Sequence, residues 1–485
     1  MQAGVRRVGW MAPGEADRRV DGFGRMTTGK ALFGLDLLMM LLTWPLLLHY
    51  GCWGSECFRA TPDAAASVLY PLTNLISLYA LGLYRRDAIV QTRDSMARVP
   101  LAVSLGAVGA AVVLVMFSPW IGSPLNRVRL FSGAVIVFCF SGLVARLIFS
   151  WLKRRGSFHR RLLVVGAGVR AWDLLCMLRN EGGHPHYQVE FVQDAAFGPV
   201  DPRLTAAVGE GIAIIETKDV LGTARRFNPD EIVVAPDERR GMPLDSLLAC
   251  KKDGFPVEQY LSFLEREIRR VDIRRVDVGW MLYSSGFYFG TLDNALKRVL
   301  DVAVSLVLLI LFSPFLIGAA IAIKLDDGGP ILYSQERVTR NESLFRIYKL
   351  RTMRPDAEKF GAVWAQARDP RITRVGKFLR QTRIDEMPQL FNVLRGEMSL
   401  VGPRPERPSF ISTLAEELPL YNERHMVKAG LTGWAQINYP YGASLDDARS
   451  KLSYDLYYVK NFSILFDLLI LLQTLRVVLW PSGAR

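Results

Sequence analysis

Only five cysteines occur in 485 residues, which excludes a disulfide-stapled scaffold. Cys139, Cys176 and Cys250 fall in segments that read as membrane or cytoplasm, whereas Cys52 and Cys57 flank a short outer loop where a disulfide is open to test. No finger spacing, basic zipper or RNA-binding signature is present, so the net charge of +13 is not assigned to nucleic acid. Acidic lipid or phosphorylated substrates account for it instead. The charged fraction is an ordinary 22 %, yet half the residues are hydrophobic and mean hydropathy is positive. A wholly soluble chain of this length seldom averages so apolar, which points to membrane segments joined to soluble domains.

Residues 1–28 are rich in Gly, Arg and Asp without an apolar period, and read as a disordered cytoplasmic tail. They do not read as a cleavable leader, because no small-residue cleavage site follows the first apolar stretch. Four apolar runs follow, near 31–51, 64–84, 98–118 and 128–150. Each is ~20 residues, enough to cross a ~30 Å hydrocarbon core. Lys30 precedes the first run; Arg85, Arg86, Arg93 and Arg98 separate the second and third; Lys153, Arg154, Arg155, Arg160 and Arg161 follow the fourth. The other two connections carry few cations. This bias predicts a four-transmembrane-helix bundle over 29–152 with both ends cytoplasmic. Asp36 and His49 fall near the ends of the first run, where solvation explains them without a relay.

The segment Arg161-Leu-Leu-Val-Val-Gly166-Ala-Gly168-Val-Arg-Ala171 is a strand entering a Gly-rich turn and then a helix through Asn180. This is the G-x-G-x-x-A form of the dinucleotide fingerprint, with Asp194 ending the next strand. Glu231-Ile-Val-Val-Ala-Pro236 adds another buried strand, so 158–270 is expected to be a Rossmann-like α/β domain. Gly166 and Gly168 are candidate cofactor-binding positions, although a tight strand-to-helix turn needs the same glycines. Residues 271–291 read as a linker.

From 292 to 485 the chain is expected to hold a membrane helix and an α+β catalytic domain. Lys297 and Arg298 precede an apolar helix over about 299–323, interrupted at Ser313-Pro314. A proline in mid-helix removes a backbone hydrogen bond, and a serine hydroxyl can re-satisfy the freed carbonyl. A full crossing would export the Arg-rich block at 337–407 against the charge bias. A re-entrant helix that bends at Ser313 and Pro314 and returns to the cytoplasmic side fits better. The last apolar stretch, 462–480, carries Asp467, Gln473 and Arg476, and reads as interfacial or packed on the core.

Chemistry concentrates in Arg380-Gln-Thr-Arg383-Ile-Asp385-Glu386-Met-Pro388-Gln389 and the Gly402-Pro403-Arg404-Pro405 segment. Pro388 suits the first turn of a helix, placing Asp385 and Glu386 just before its N-terminus, where anions are favoured. Both carboxylates are therefore expected to be ionised at neutral pH. Such groups serve as a nucleophile on phosphorus or as hard-oxygen ligands for Mg²⁺, with substrate phosphates and water completing the shell. Arg337, Arg346, Lys349, Arg351, Arg380, Arg383 and Arg404 would offset repulsion of a diphosphate. Surface ion pairing between these acids and arginines is the plainer alternative.

Tyr348-Lys349-Leu350-Arg351-Thr352-Met353, the Asp385-Glu386-x-Pro-Gln core, Met398-Ser-Leu-Val-Gly-Pro-Arg-Pro405 and Gly430-Leu-Thr-Gly-Trp-Ala-Gln436 together resemble the bacterial sugar transferase family. These are the monotopic phosphoglycosyl transferases, and the bundle and Gly-rich domain resemble its large, exopolysaccharide-initiating members. The resemblance implies transfer of hexose-1-phosphate, glucose before galactose, from a UDP-hexose to undecaprenyl phosphate, with release of UMP. It implies Asp385 as the nucleophile that holds a covalent phosphosugar and Glu386 as the Mg²⁺ ligand. Lys349, Arg380 and Arg404 match positions around the phosphates and nucleotide, and Ser313-Pro314 matches the break of a re-entrant helix. Arg351, Arg383, Pro403, Pro405 and His425 are further substrate-binding candidates. The setting implied is the bacterial inner membrane, with the active site on the cytoplasmic side of the lipid bilayer, in a chain that could form a homodimer.

His425 could contact lipid phosphate or sugar, although a lone histidine is more often structural. Trp434 and the run Asn438 to Gly442 are candidates for lining the sugar or lipid pocket, with core packing as the alternative. Tyr457 and Tyr458 beside Lys460 read as an interfacial belt. Two rival functions remain. A non-enzymatic sensor would bind a dinucleotide tightly and release no UMP, and a multi-spanning phosphotransferase would need ~10 crossings of ~20 residues each.

Overall fold

A computed structural model of the chain describes residues 28–50, 64–85, 92–117, 124–155, 158–181, 186–209, 211–238, 242–276, 278–287, 290–355, 369–439, 442 and 444–479. The tail 1–27, Cys52, Cys57, Pro440 and Tyr441 lie outside the described residues. Two compact units divide the chain, Met1–Ile268 and Arg269–Arg485.

The first unit begins with α1 (Thr28–Tyr50), α2 (Ala64–Ala80), α3 (Thr92–Phe117) and α4 (Pro124–Arg154), each on one of the apolar runs. Within α3 and α4, Ser95–Met116 and Leu130–Arg154 are long and apolar enough to cross a membrane, whereas Val68–Ala80 is a shorter apolar helix. Met40, Trp44, Leu78, Val103 and Phe138 interlock where these helices meet. Asp36 departs from the expectation of a solvated helix end. It is 1 % exposed and accepts hydrogen bonds from Arg146 Nη1 at 2.5 Å and Tyr84 Oη at 2.9 Å. A charge inside an apolar bundle needs an opposite charge beside it, and the fourth helix supplies one. The side chain of His49 lies outside the described residues.

The same unit continues as β1 (His159–Val165), α5 (Val169–Glu181), β2 (His186–Gln193), β3 (Ile212–Glu216), α6 (Val220–Phe227), β4 (Glu231–Val234), α7 (Leu244–Lys252), β5 (Val257–Gln259) and α8 (Tyr260–Ile268). The strands form one parallel sheet in the order β3-β2-β1-β4-β5. Side chains alternate across a strand, so Leu162 and Val164 join Leu175 and Phe263 on one face. Leu163 and Val165 meet Ala224, Leu247 and Cys250 on the other. Helices therefore cover both faces, which is why the strands read as unbroken apolar runs.

The second unit contains α9 (Thr291–Asp327), the antiparallel pair β6 (Leu332–Val338) and β7 (Leu344–Leu350), α10 (Arg374–Thr382), α11 (Gln389–Arg395), the parallel pair β8 (Ser399–Val401) and β9 (Gly430–Thr432), α12 (Leu445–Lys460) and α13 (Ile464–Leu479). The start of the stretch 271–291, expected as a linker, packs into this unit. Val271, Ile273 and Val276 are buried, and Val271 N donates to Ser453 O at 3.0 Å. The helical run of α9 continues through Ser313 and Pro314 without interruption, and Ser313 Oγ donates to Ile310 O at 2.8 Å. This 37-residue helix is long and apolar enough to cross a membrane. Val307, Ile310, Leu311, Phe315 and Ile321 are exposed along it.

The polar residues of α9 and α13 explain each other. Lys297 Nζ donates to Asp467 Oδ2 at 2.5 Å and to Val401 O at 3.0 Å. Tyr458 Oη lies 2.8 Å from Asp467 Oδ1, so Tyr458 belongs to the core rather than to an interfacial belt. Asp467 and Gln473 are buried, and α13 packs on β8, β9 and α9. Trp434 is likewise core: its ring meets Phe466 at 5.0 Å and its Nε1 donates to Arg269 O at 2.8 Å.

Candidate active site

Asp385 and Glu386 lie in the 3-10 turn Ile384–Glu386, between α10 and α11. Arg383 enters this turn in the left-handed region, at φ 59°. For a non-glycine residue that conformation costs ~1–3 kcal/mol, which the packed helices on either side must offset. Leu390 and Val393 of α11 are buried in the core shared with Phe345 and Ile347 of β7. Asn392 completes that junction, its Nδ2 donating to Arg346 O at 2.7 Å while its Oδ1 accepts from Tyr348 N at 3.2 Å. Arg298 Nη1 and Nη2 donate to the carbonyls of Val393 and Leu394, both at 2.6 Å, near the C-terminus of α11. Helix α11, braced by Arg298 of α9, thus holds the acidic turn against strand β7.

Glu386 is 8 % exposed, and its Oε1 accepts from Lys349 Nζ at 2.9 Å and Arg404 Nη2 at 2.8 Å. Burial works to raise its pKa, but Arg404, Lys349 and Arg383 outweigh it and hold the carboxyl well below its ordinary range. Asp385 is also 8 % exposed, and its Oδ1 is buried without a hydrogen-bond partner among the described residues. Burial, with the charge of Glu386 added, pushes Asp385 up to about 6 against Lys349, Arg380 and Arg383. Both groups are thus largely ionised at pH 7, but neighbouring charges and burial set them rather than a helix N-terminus. Glu386 is held as an anion by its cations, whereas desolvation dominates at Asp385. Burial also lowers the pKa of Lys349.

Arg404 reaches Glu386 because its backbone is locked. Gly402 and Gly430 pack so closely that a Cβ on Gly430 would lie 2.1 Å from Gly402 N, and Gly430 N donates to Pro403 O at 2.8 Å. Arg424, also buried, donates to Arg404 O at 2.9 Å and pairs with Asp455 at 2.8 Å. Arg337 Nη1 donates to Pro405 O at 3.0 Å.

The basic residues expected around the acids do not all arrive. Arg380 Nε donates to Thr352 Oγ1 at 2.9 Å, and Arg380 and Arg383 act electrostatically on Asp385. Arg351 instead forks onto Asp327 and donates through Nε to Pro330 O at 2.7 Å, clamping the end of α9. Arg346 is exposed. Pro403 and Pro405 are buried, shaping the backbone on either side of Arg404. His425 is buried with its ring edge-on to Tyr421, and burial with Arg424 beside it lowers its pKa to about 4. It is a neutral histidine at physiological pH.

Asn392, Arg424 and Asp455 were given no role by sequence reasoning. Helical spacing places Asn392 away from the face of Leu390 and Val393, so periodicity carried no signal for its burial. Gln389 is also buried, with Nε2 unpaired among the described residues.

The family profile described as bacterial sugar transferase matches residues 292–481. An undecaprenyl-phosphate glucose phosphotransferase of Komagataeibacter xylinus is 44 % identical over 455 residues, covering 87 % of this chain and 80 % of that protein. The chain belongs to the bacterial sugar transferase family. This transferase is also 30 % identical to a UDP-glucose:undecaprenyl-phosphate glucose-1-phosphate transferase of Klebsiella pneumoniae over 335 residues, 68 % of this chain and 70 % of the relative. A UDP-N-acetylgalactosamine-undecaprenyl-phosphate N-acetylgalactosaminephosphotransferase of Aeromonas hydrophila is 47 % identical over 242 residues. That match covers 49 % of the transferase and only 56 % of the relative. As a member of this family the transferase is a phosphoglycosyl transferase.

Proposed function

We propose that the transferase moves hexose-1-phosphate from a UDP-hexose to undecaprenyl phosphate, the first step of a surface polysaccharide. The observation that carries this reading is the asymmetry of the acidic pair. Glu386 is neutralised by Lys349 and Arg404, while Asp385 keeps a buried carboxylate oxygen without a partner among the described residues. Asp385 attacks the β-phosphorus, the bond from that phosphorus to the bridging oxygen breaks, and UMP leaves with the electron pair. The polyprenyl phosphate oxygen then attacks the same phosphorus and returns the carboxylate of Asp385. Lys349, Arg380, Arg383 and Arg404 offset the negative charge brought by the diphosphate.

The donor set suits Mg²⁺: two hard carboxylates, one with an oxygen unpartnered among the described residues. Glu386 is the residue that would hold the ion, with substrate phosphate oxygens completing the shell. When bound, Mg²⁺ would supply charge neutralisation at the transferring phosphoryl group.

Glucose is the hexose favoured by the relative that spans most of the chain, and N-acetylgalactosamine by the shorter match. The apolar α9 is read as a re-entrant helix bent near Ser313 and Pro314. It would hold the active site at the cytoplasmic face of the inner membrane, where basic residues meet anionic headgroups. The parallel-sheet domain over 158–270 is read as Rossmann-like. The test is UMP release by the purified full chain in detergent with undecaprenyl phosphate, Mg²⁺ and a panel of UDP-sugars. Release from one sugar, lost in Asp385→Asn and in chelator, is expected; no release from any sugar overturns the reading.

A further inference from the structure

The Gly-rich turn after β1 carries a dinucleotide fingerprint, and the sheet order places that turn where nucleotides bind in such folds. Chain order runs from β1 outward through β2 to β3, then returns to β4 on the other side of β1. The crevice beyond the carboxyl ends of β1 and β4 is the topological switch point, where a diphosphate would rest on the amides opening the next helix.

In this chain the crevice is filled from within. Asp237 follows β4, and its carboxylate lies across the opening of α5. Val169 N donates to Asp237 Oδ2 at 2.6 Å, and Arg170 N donates to Asp237 Oδ1 at 2.9 Å. The neighbouring amides are also taken: Ala167 N donates to Gln193 Oε1 at 3.0 Å, and Gly166 N to Val192 O at 2.8 Å. Both glycines serve this internal arrangement. Gly166 has φ +104°, and a Cβ there would sit 2.8 Å from Pro236 Cα. A Cβ on Gly168 would sit 2.1 Å from Asp237 Oδ2. The acid ending β2 is committed as well, since Asp194 caps the turn Ala195–Phe197 by accepting from Ala196 N at 3.3 Å.

A bound diphosphate and the Asp237 carboxylate need the same donors. Both are anions, so they cannot share two amides without mutual repulsion. The residues present do not fit a dinucleotide. We infer that Asp237 is a built-in anion occupying the phosphate position of the Gly-rich turn, and that the sheet domain takes no dinucleotide. Gly166 and Gly168 are then turn and packing residues rather than cofactor ligands.

Hydrogen exchange on the full chain in detergent tests this, with the peptide spanning 166–172 as local readout. NAD, NADP, ATP and coenzyme A, each at millimolar concentration, should leave exchange of that peptide unchanged in the wild-type protein. In Asp237→Ala its exchange should rise by ~10-fold or more, the loss of a charged hydrogen bond to each of two amides. Asp237→Asn, which keeps one acceptor, should fall between. The β1 peptide 159–165 monitors folding, and a variant whose β1 peptide also opens is set aside for the asparagine form. Saturable protection of 166–172 by any of these nucleotides in the wild-type chain would overturn the inference. So would unchanged exchange in both variants.

Discussion

Replacing Asp385 with asparagine removes a carboxylate that the fold buries to 8 % exposure beside a second acid. The carboxyl titrates at about 6 rather than at the ordinary 3.8. The folded chain therefore binds this proton more tightly than the unfolded chain does. Between those two values, raising the pH lowers stability; the cost is absent below the ordinary value and complete above about 6. At ~1.4 kcal/mol per pH unit, the full cost is up to ~3 kcal/mol. Asparagine keeps the shape and discards the charge, so Asp385→Asn should raise the apparent melting temperature at pH 7.5 while abolishing UMP release. For a unit of roughly 200 residues, ~2–4 °C per kcal/mol makes the rise as much as ~6–12 °C. The gain should shrink as pH falls and vanish near pH ~4, below which both proteins carry a neutral group. The same titration governs rate. About 90 % of Asp385 is ionised at pH 7 and about 9 % at pH 5, so the covalent step should slow roughly tenfold between them. Differential scanning fluorimetry from pH 4 to 8, paired with single-turnover UMP release, measures both effects. A melting temperature that is unchanged or lowered in Asp385→Asn at pH 7.5, or a flat rate from pH 5 to 7, would refute burial as the dominant influence.

Arg404→Ala removes one of the two cations hydrogen-bonded to Glu386 Oε1, and turnover should fall ~10²–10³-fold, as for other preorganised charge-stabilising groups; steady-state UMP release measures it, and a loss under tenfold would show that Arg404 is peripheral. Arg424→Lys should lower kcat with little change in KM, because one ammonium cannot serve Asp455, Tyr421 and the carbonyl of Arg404 together; a normal kcat would dismiss it as a positioning residue. In the bundle, Arg146→Met strands the buried charge of Asp36 and should destabilise by ~3–5 kcal/mol, whereas adding Asp36→Asn should recover most of that; a double variant no better than the single one, by melting in detergent, would contradict the pairing. Gln389→Leu removes a buried donor that has no partner among the described residues, so the melting temperature should hold or rise; a clear fall would show that the amide is satisfied in the folded chain.

Local pattern determined a good deal by itself. The apolar runs became α1 to α4, the strand-turn-helix at Gly166 became β1 and α5, and Pro388 stands just ahead of α11 behind the acidic turn. Each of these is set by neighbours within a turn or two, so periodicity and backbone preference suffice to read it. Partnerships between distant side chains were decided only by the tertiary structure. Asp36 meets Arg146 across 110 residues, and Asp237 closes the Gly-rich turn from 68 residues downstream. Lys349 and Arg404 converge on Glu386, while Arg351, two residues from Lys349, turns to Asp327. Strand alternation would put residues two apart on one face, but which cation meets which carboxylate depends on the elements packed around each. Charge is legible in a sequence; desolvation is not, because burial belongs to the assembled fold, and it is burial that raises Asp385 while cations hold Glu386 down.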